Sequence, residues 1–169
     1  MKRGGLMALA TGTLIAFATA VPAAPPQKSE LLAKAAEGGA ICADKMPSTT
    51  ATADALRASG FNPEGGEGSF RVYSAHGKRV VVVITAGGAR GDGCIVMASR
   101  MTPAEAEQLA APYLAASKAR AAQPPRGFDV DRFWVGQFKG APLLIGIKNN
   151  LDLGIVRGAA VIARNDRKR

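Results

Sequence analysis

The chain has 169 residues, with 22 Lys plus Arg against 13 Asp plus Glu and a formal net charge of +9. Hydrophobic residues make up 47% and aromatics only 5%, which suits a packed core and leaves little for the basic, aromatic-studded face of a nucleic-acid binder. One histidine and two cysteines are too few soft ligands for a zinc or copper centre, so neither metal nor cofactor is expected.

Lys2 and Arg3 open the chain, and an uncharged run over 4–20 follows, with Leu6, Met7, Leu14, Ile15 and Phe17 among small residues. Ala18-Thr19-Ala20 and Val21-Pro22-Ala23 then offer two cleavage-like sites. This order predicts a secretory signal peptide over 1–23 and a periplasmic or secreted mature protein. The competing reading is an uncleaved anchor, but the run falls short of the roughly 20 residues a bilayer span needs. No cysteine lies near the cleavage region, which argues against a lipid anchor, and no second long apolar run predicts a transmembrane segment after the signal. Cleavage would leave about 145–149 residues, enough for one domain with a real core. It would also remove Lys2 and Arg3 and no acid. A basic protein in that compartment meets acidic proteins, anionic glycans and phospholipid heads.

An extended leader over 24–28 is followed by an expected helix from Glu30, capped by Ser29 and supported by a Glu30–Lys34 pair. Gly38 and Gly39 weaken it, so it either stops there or continues to Cys42. Pro47 breaks the chain, and a second helix starts near Thr49 or Thr50. Gly60 ends it, with Phe61 folding back as the hydrophobic contact. A polar loop is expected over 62–69. Strands follow over 70–73, 79–85 and 94–98, with a hairpin turn at Gly77 and a glycine-rich loop over 87–93. Thr102-Pro103-Ala104-Glu105 is a capping box with proline at the first helical position. The third helix runs to about Ser117 with Ala106, Leu109, Ala110, Tyr113 and Leu114 inside, and Pro112 kinks or ends its first segment. A linker over 123–127 leads to strands over 133–138 and 143–147, a turn at Asn149-Asn150, and a strand over 155–163. The expected fold is α+β: one antiparallel sheet of five to six strands with three helices on it, in a single domain over 29–163. Both halves run helix then three strands, although no sequence repeat accompanies that order.

In an oxidising compartment Cys42 and Cys94 allow one intramolecular bridge, stabilising by about 4 kcal/mol through loop-closure entropy. The alternative is a pair of free buried thiols. No Cys-x-x-Cys spacing supports a redox-active pair.

Cys42, Pro47, Ala53-Asp54-Ala55-Leu56, Gly60-Phe61 and Gly93-Cys94 together resemble a pattern in small secreted two-cysteine proteins of bacteria with no assigned function. The resemblance spans Cys42 to Cys94 and rests on a helix, its cap and a bridge. It implies no catalytic residue.

Candidate chemistry is sparse. His76 is the one residue that could serve as the base of a triad, with Ser74 two positions before it, but a hairpin turn exposes and disorients a base. The pairs Asp129/Asp131 and Glu64/Glu67 sit in loops, where acids ordinarily face water. Asp152 near Asn149 and Asn150 matches no EF-hand spacing. The loop over 87–93 follows a strand but opens no helix, so it lacks the anion site of a phosphate loop. Arg90-Gly91-Asp92 spells a short adhesion tripeptide that a glycine-rich hairpin explains equally well. Alternation places Trp134 and Phe138 on one side of a strand with Gly136 between them, either as core or as a shallow binding groove. Arg164, Arg167, Lys168 and Arg169 form a basic tail over 164–169, a candidate contact for an anionic surface. The expected role is a non-catalytic binding module for an envelope protein or an anionic glycan or lipid surface. The competing readings are a small secreted hydrolase with an unrecognised site and an inhibitor or immunity-like protein.

Overall fold

The protein is described by a computed structural model covering residues 25–88, 91–126, 128–149 and 158–164. The expected signal over 1–23, and the tail beyond Arg164, lie outside the described residues.

The fold is α+β. Helix α1 (Lys28–Lys45) and helix α2 (Thr49–Ala58) precede strands β1 (Asn62–Gly65), β2 (Phe70–Ala75), β3 (Val80–Gly88) and β4 (Gly91–Ala98). Helix α3 (Pro103–Ala116) precedes β5 (Arg120–Ala121), β6 (Arg132–Phe138), β7 (Ala141–Lys148) and β8 (Ala159–Arg164). All eight strands form one antiparallel sheet in the order β1-β2-β3-β4-β8-β7-β6-β5. Each half is thus a helical block followed by a four-stranded meander, and the two meanders join through their last strands. The sheet exceeds the expected strand number because two short edge strands, β1 and β5, fall in stretches expected to be a loop and a helix-to-linker transition.

Several local signals behave as their chemistry requires. The Ser48 hydroxyl accepts from the Ala51 amide at 3.2 Å. At the other end of α2, Phe61 N–H donates to the Leu56 carbonyl and Gly60 N–H to the Arg57 carbonyl, both at 2.9 Å. This is a Schellman closure, and Gly60 supplies its left-handed residue at φ 78°. The Thr102 amide donates to Glu105 at 2.7 Å, and the Glu105 amide donates to the Thr102 hydroxyl at 3.3 Å, completing the capping box of α3.

Other expectations need correction. Helix α1 starts at Lys28 with Gln27 as its N-cap, not at Glu30 with Ser29. Glu30 sits at the third helical position, where its carboxylate accepts from the Gln27 amide at 3.1 Å. Lys34 accordingly pairs with Glu37 at 2.8 Å rather than with Glu30. Of the two readings for the glycine pair, continuation holds, and α1 runs through Cys42 to Lys45; at the glycines the helix touches its neighbours. A Cβ on Gly38 would lie 2.8 Å from Val82 Cγ2, and one on Gly39 would lie 3.1 Å from Leu109 Cδ2. Pro112 does not end α3, which continues to Ala116; the proline lies on the exposed side, where water can satisfy the carbonyl it frees. The glycine-rich loop is shorter than expected, since Gly88 already pairs with Gly91. The last strand is described from Ala159; residues 155–157 lie outside the described residues.

The helices cover one face of the sheet. A cross-strand row of Ile84, Cys94, Ile162, Ile145 and Trp134 runs beneath them, and a second row joins Val82, Val96, Ala160 and Ile147. Helix α1 lies over the β4–β8 junction, where Cys42 and Cys94, both fully buried, form a disulfide with Cα atoms 6.0 Å apart. Lys28 reaches Glu105 at 2.7 Å and ties the starts of α1 and α3. On the opposite face, Val83, Ile95 and Val161 are only partly buried. Phe128 and Val130 lie over the same face at Gly146, where a Cβ would meet Val130 at 2.7 Å.

Candidate ligand cleft and the surface residues

A cleft of about 350 Å³ opens at the β1–β2 edge, lined by Arg57, Pro63, Gly65, Gly66, Gly68, Phe70, Arg71, Val72 and Tyr73. Its volume falls at the lower end of the range of small-ligand sites, roughly 300–1,000 Å³. Three local features build it. The Schellman turn brings Arg57, in the last turn of α2, over the sheet edge, with its guanidinium 5.7 Å from the centre of the Tyr73 ring. A register shift between Pro63 and Gly65 lifts β1 away from regular pairing with β2. Gly66 then passes so close to β2 that a Cβ would collide with the Phe70 carbonyl, so only glycine fits.

The electrostatics of the cleft are cationic. Arg57 pairs with Asp54 at 2.8 Å, an exposed contact between helical neighbours, and such pairs stabilise weakly. Arg71 is exposed and forms no ion pair among the described residues. The neighbouring acid Glu64 is already committed. It accepts from the Ser74 hydroxyl at 2.5 Å and from Lys78 at 2.8 Å, and the Lys78 ammonium holds its carboxyl below the usual range. The Gly66 and Gly68 amides donate to no other backbone carbonyl among the described residues. Two planar guanidinium forks make a site chemically suited to an oxyanion.

The residues singled out in the sequence lie elsewhere. Trp134 and Phe138 are half-buried and pack against the core beneath the helices. The space above Gly136 between them is taken by Ser117, whose Oγ would lie 2.5 Å from an added Cβ and whose carbonyl accepts from the Gln137 amide at 3.0 Å. Arg164 is not in a tail. It ends β8, paired with Asp92 and Leu143, and is 8% exposed, so any basic tail begins after it; Arg167, Lys168 and Arg169 lie outside the described residues.

His76 is exposed in the β2–β3 turn at φ 50°, while the hydroxyl of Ser74, 2% exposed, is spent on Glu64. Asp129 pairs with Lys148 at 2.7 Å and Asp131 accepts from the Asn149 amide at 2.6 Å, so the two carboxylates brace a turn rather than face each other. Arg90, Asn150 and Asp152 lie outside the described residues. Among the described residues no group of three or more His, Cys, Asp or Glu could hold a metal ion, and no helix is long and apolar enough to cross a membrane.

The cleft is not legible in the sequence because its members come from α2, a loop and β2. The one available signal is the glycine spacing at 65, 66 and 68 directly before Phe70-Arg71. Compared with family models, with curated proteins and with solved structures, the chain matches none.

Proposed function

We propose that the chain is an exported domain that acts as a non-catalytic binding module, contacting a partner protein or an anionic glycan or lipid surface. The observation that carries this reading is the chemistry of the cleft. Its charged side chains, Arg57 and Arg71, are guanidiniums, which carry hydrogen-bond donors and no acceptor. They hold anions well and cannot serve as general bases. Export is supported by the charged start, apolar run and small-residue sites over 1–23. The disulfide supports it too, since such bridges persist mainly in oxidising compartments.

The test is retention of the oxidised domain on beads coated with an acidic polysaccharide and on vesicles with or without anionic lipid, washed at rising salt. Retention on an anionic surface and not on its neutral counterpart supports the reading. Equal retention on charged and neutral surfaces, or none on either, argues against it. Export is tested separately by fractionating cells that express the full chain. Recovery of a cleaved form outside the cytoplasm supports export, and an uncleaved cytoplasmic form refutes it.

A further inference from the structure

We infer that the Arg57–Arg71 cleft is a specific site for an acidic sugar, a ring carrying one carboxylate or phosphate group. The inference rests on the proposed binding role and deepens it. The oxyanion is assigned by the guanidiniums of Arg57 and Arg71, residues that line the cleft together with Gly66 and Gly68. A planar guanidinium offers paired donors to either oxyanion. Neither arginine is consumed by a strong structural role: Arg57 makes an exposed pair with Asp54, and Arg71 has no acidic partner among the described residues.

The sugar body is assigned by the remaining space. A bare oxyanion is far smaller than about 350 Å³, and small-ligand sites pair a few polar groups with apolar walls. Pro63, paired with Tyr73 on the same face of the sheet as Arg71, supplies apolar surface suited to the CH-rich flank of a ring. The cleft is open rather than enclosed, as fits a unit that is part of a longer chain or is released readily.

The experiment is titration calorimetry, with amide chemical shifts as a second readout, on the oxidised protein. The probes are galacturonate, glucose 6-phosphate, neutral glucose and inorganic phosphate. The variants are Arg57→Gln, Arg71→Gln and, as an equal charge change outside the cleft, Arg79→Gln; Arg79 is exposed in the turn just before β3. All three sites are on the surface, and thermal unfolding confirms that each variant folds. The expected result is binding of at least one acidic sugar and not of glucose, with shifts at Gly65, Gly66 and Gly68. Affinity should fall about ten- to a hundredfold in each cleft variant, the range for losing a charged hydrogen bond, and little in Arg79→Gln. Comparison of galacturonate with glucose 6-phosphate then identifies which oxyanion the cleft takes. The inference is overturned if no acidic sugar binds, if Arg79→Gln weakens binding as much as the cleft variants do, or if inorganic phosphate binds as tightly as both sugars. If these fail while the domain still adheres to anionic beads or vesicles, the cleft assignment falls and the general binding role stands.

Discussion

Gly38 and Gly39 sit side by side in α1, yet alanine at the two positions should have unequal consequences. In a free helix each replacement would stabilise by up to about 1 kcal/mol, because alanine has the better propensity. At Gly38 the new methyl lies 2.8 Å from Val82 Cγ2 and 3.2 Å from Phe61 Cζ. Val82 is a fully buried, β-branched residue in a central strand, so it has no other rotamer to retreat into. Overpacking of this kind costs about 1–3 kcal/mol, which outweighs the propensity gain and leaves a net loss of about 1 kcal/mol. At Gly39 the nearest atom is Leu109 Cδ2 at 3.1 Å, the tip of a flexible side chain that can give way. Gly39→Ala should therefore fall within about 0.5 kcal/mol of the parent, on either side. The assay is urea unfolding of the oxidised domain, comparing midpoints at constant slope. A Gly38→Ala variant as stable as the parent, or more so, would refute the claim that the glycine pair is there for close approach.

Other outcomes follow from the same packing. Replacing Cys42 and Cys94 together with alanine should lower stability by about 4 kcal/mol through loop-closure entropy, read as a fall in the urea midpoint; an unchanged midpoint would mean that the bridge constrains nothing. Thr102→Ala should cost about 1 kcal/mol by opening the capping box of α3, measured by thermal unfolding. The Lys28 ammonium, and after it the Thr102 amide, hold the Glu105 carboxyl below its ordinary value of 4.5. Its stabilisation is therefore complete above that value and is lost as pH falls through the lower, folded-state value. The stability advantage of the parent over Glu105→Gln should narrow on acidification, and an advantage that widened would show the sign to be wrong. Leu56→Ala should cost about 2–5 kcal/mol, since a fully buried side chain leaves a cavity under α2.

Short-range chemistry explains which elements are legible from residues alone. A capping residue, a left-handed glycine or a run of β-branched residues acts within a few positions of itself. That is why α2 with its Gly60-Phe61 closure, the Thr102–Glu105 box and strand β3 follow from their own residues. The pairing of two cysteines in one chain needs only a count and a compartment. Edge strands β1 and β5 are not legible, because Asn62-Pro63-Glu64-Gly65 and Arg120-Ala121 carry no strand propensity of their own. They exist because a neighbouring strand offers unpaired hydrogen-bonding groups.

The residues proposed for binding divide along the same line. Alternation correctly puts Trp134, Gly136 and Phe138 on one face, but only the packed chain shows that Ser117 sits above that glycine. Charge counting marks Arg164 as surface, and the sheet pairs it as a strand residue between β4 and β7. Arg57 and Arg71 line one cleft because a helix closure and a strand irregularity converge from separate segments. Fold class, helix caps and the excess of positive charge are set by the order and kind of residues, since each is a sum or a short-range effect. Which cations share a cleft and which glycines mark a contact are settled only when the chain packs, because those depend on distances between residues far apart in the sequence.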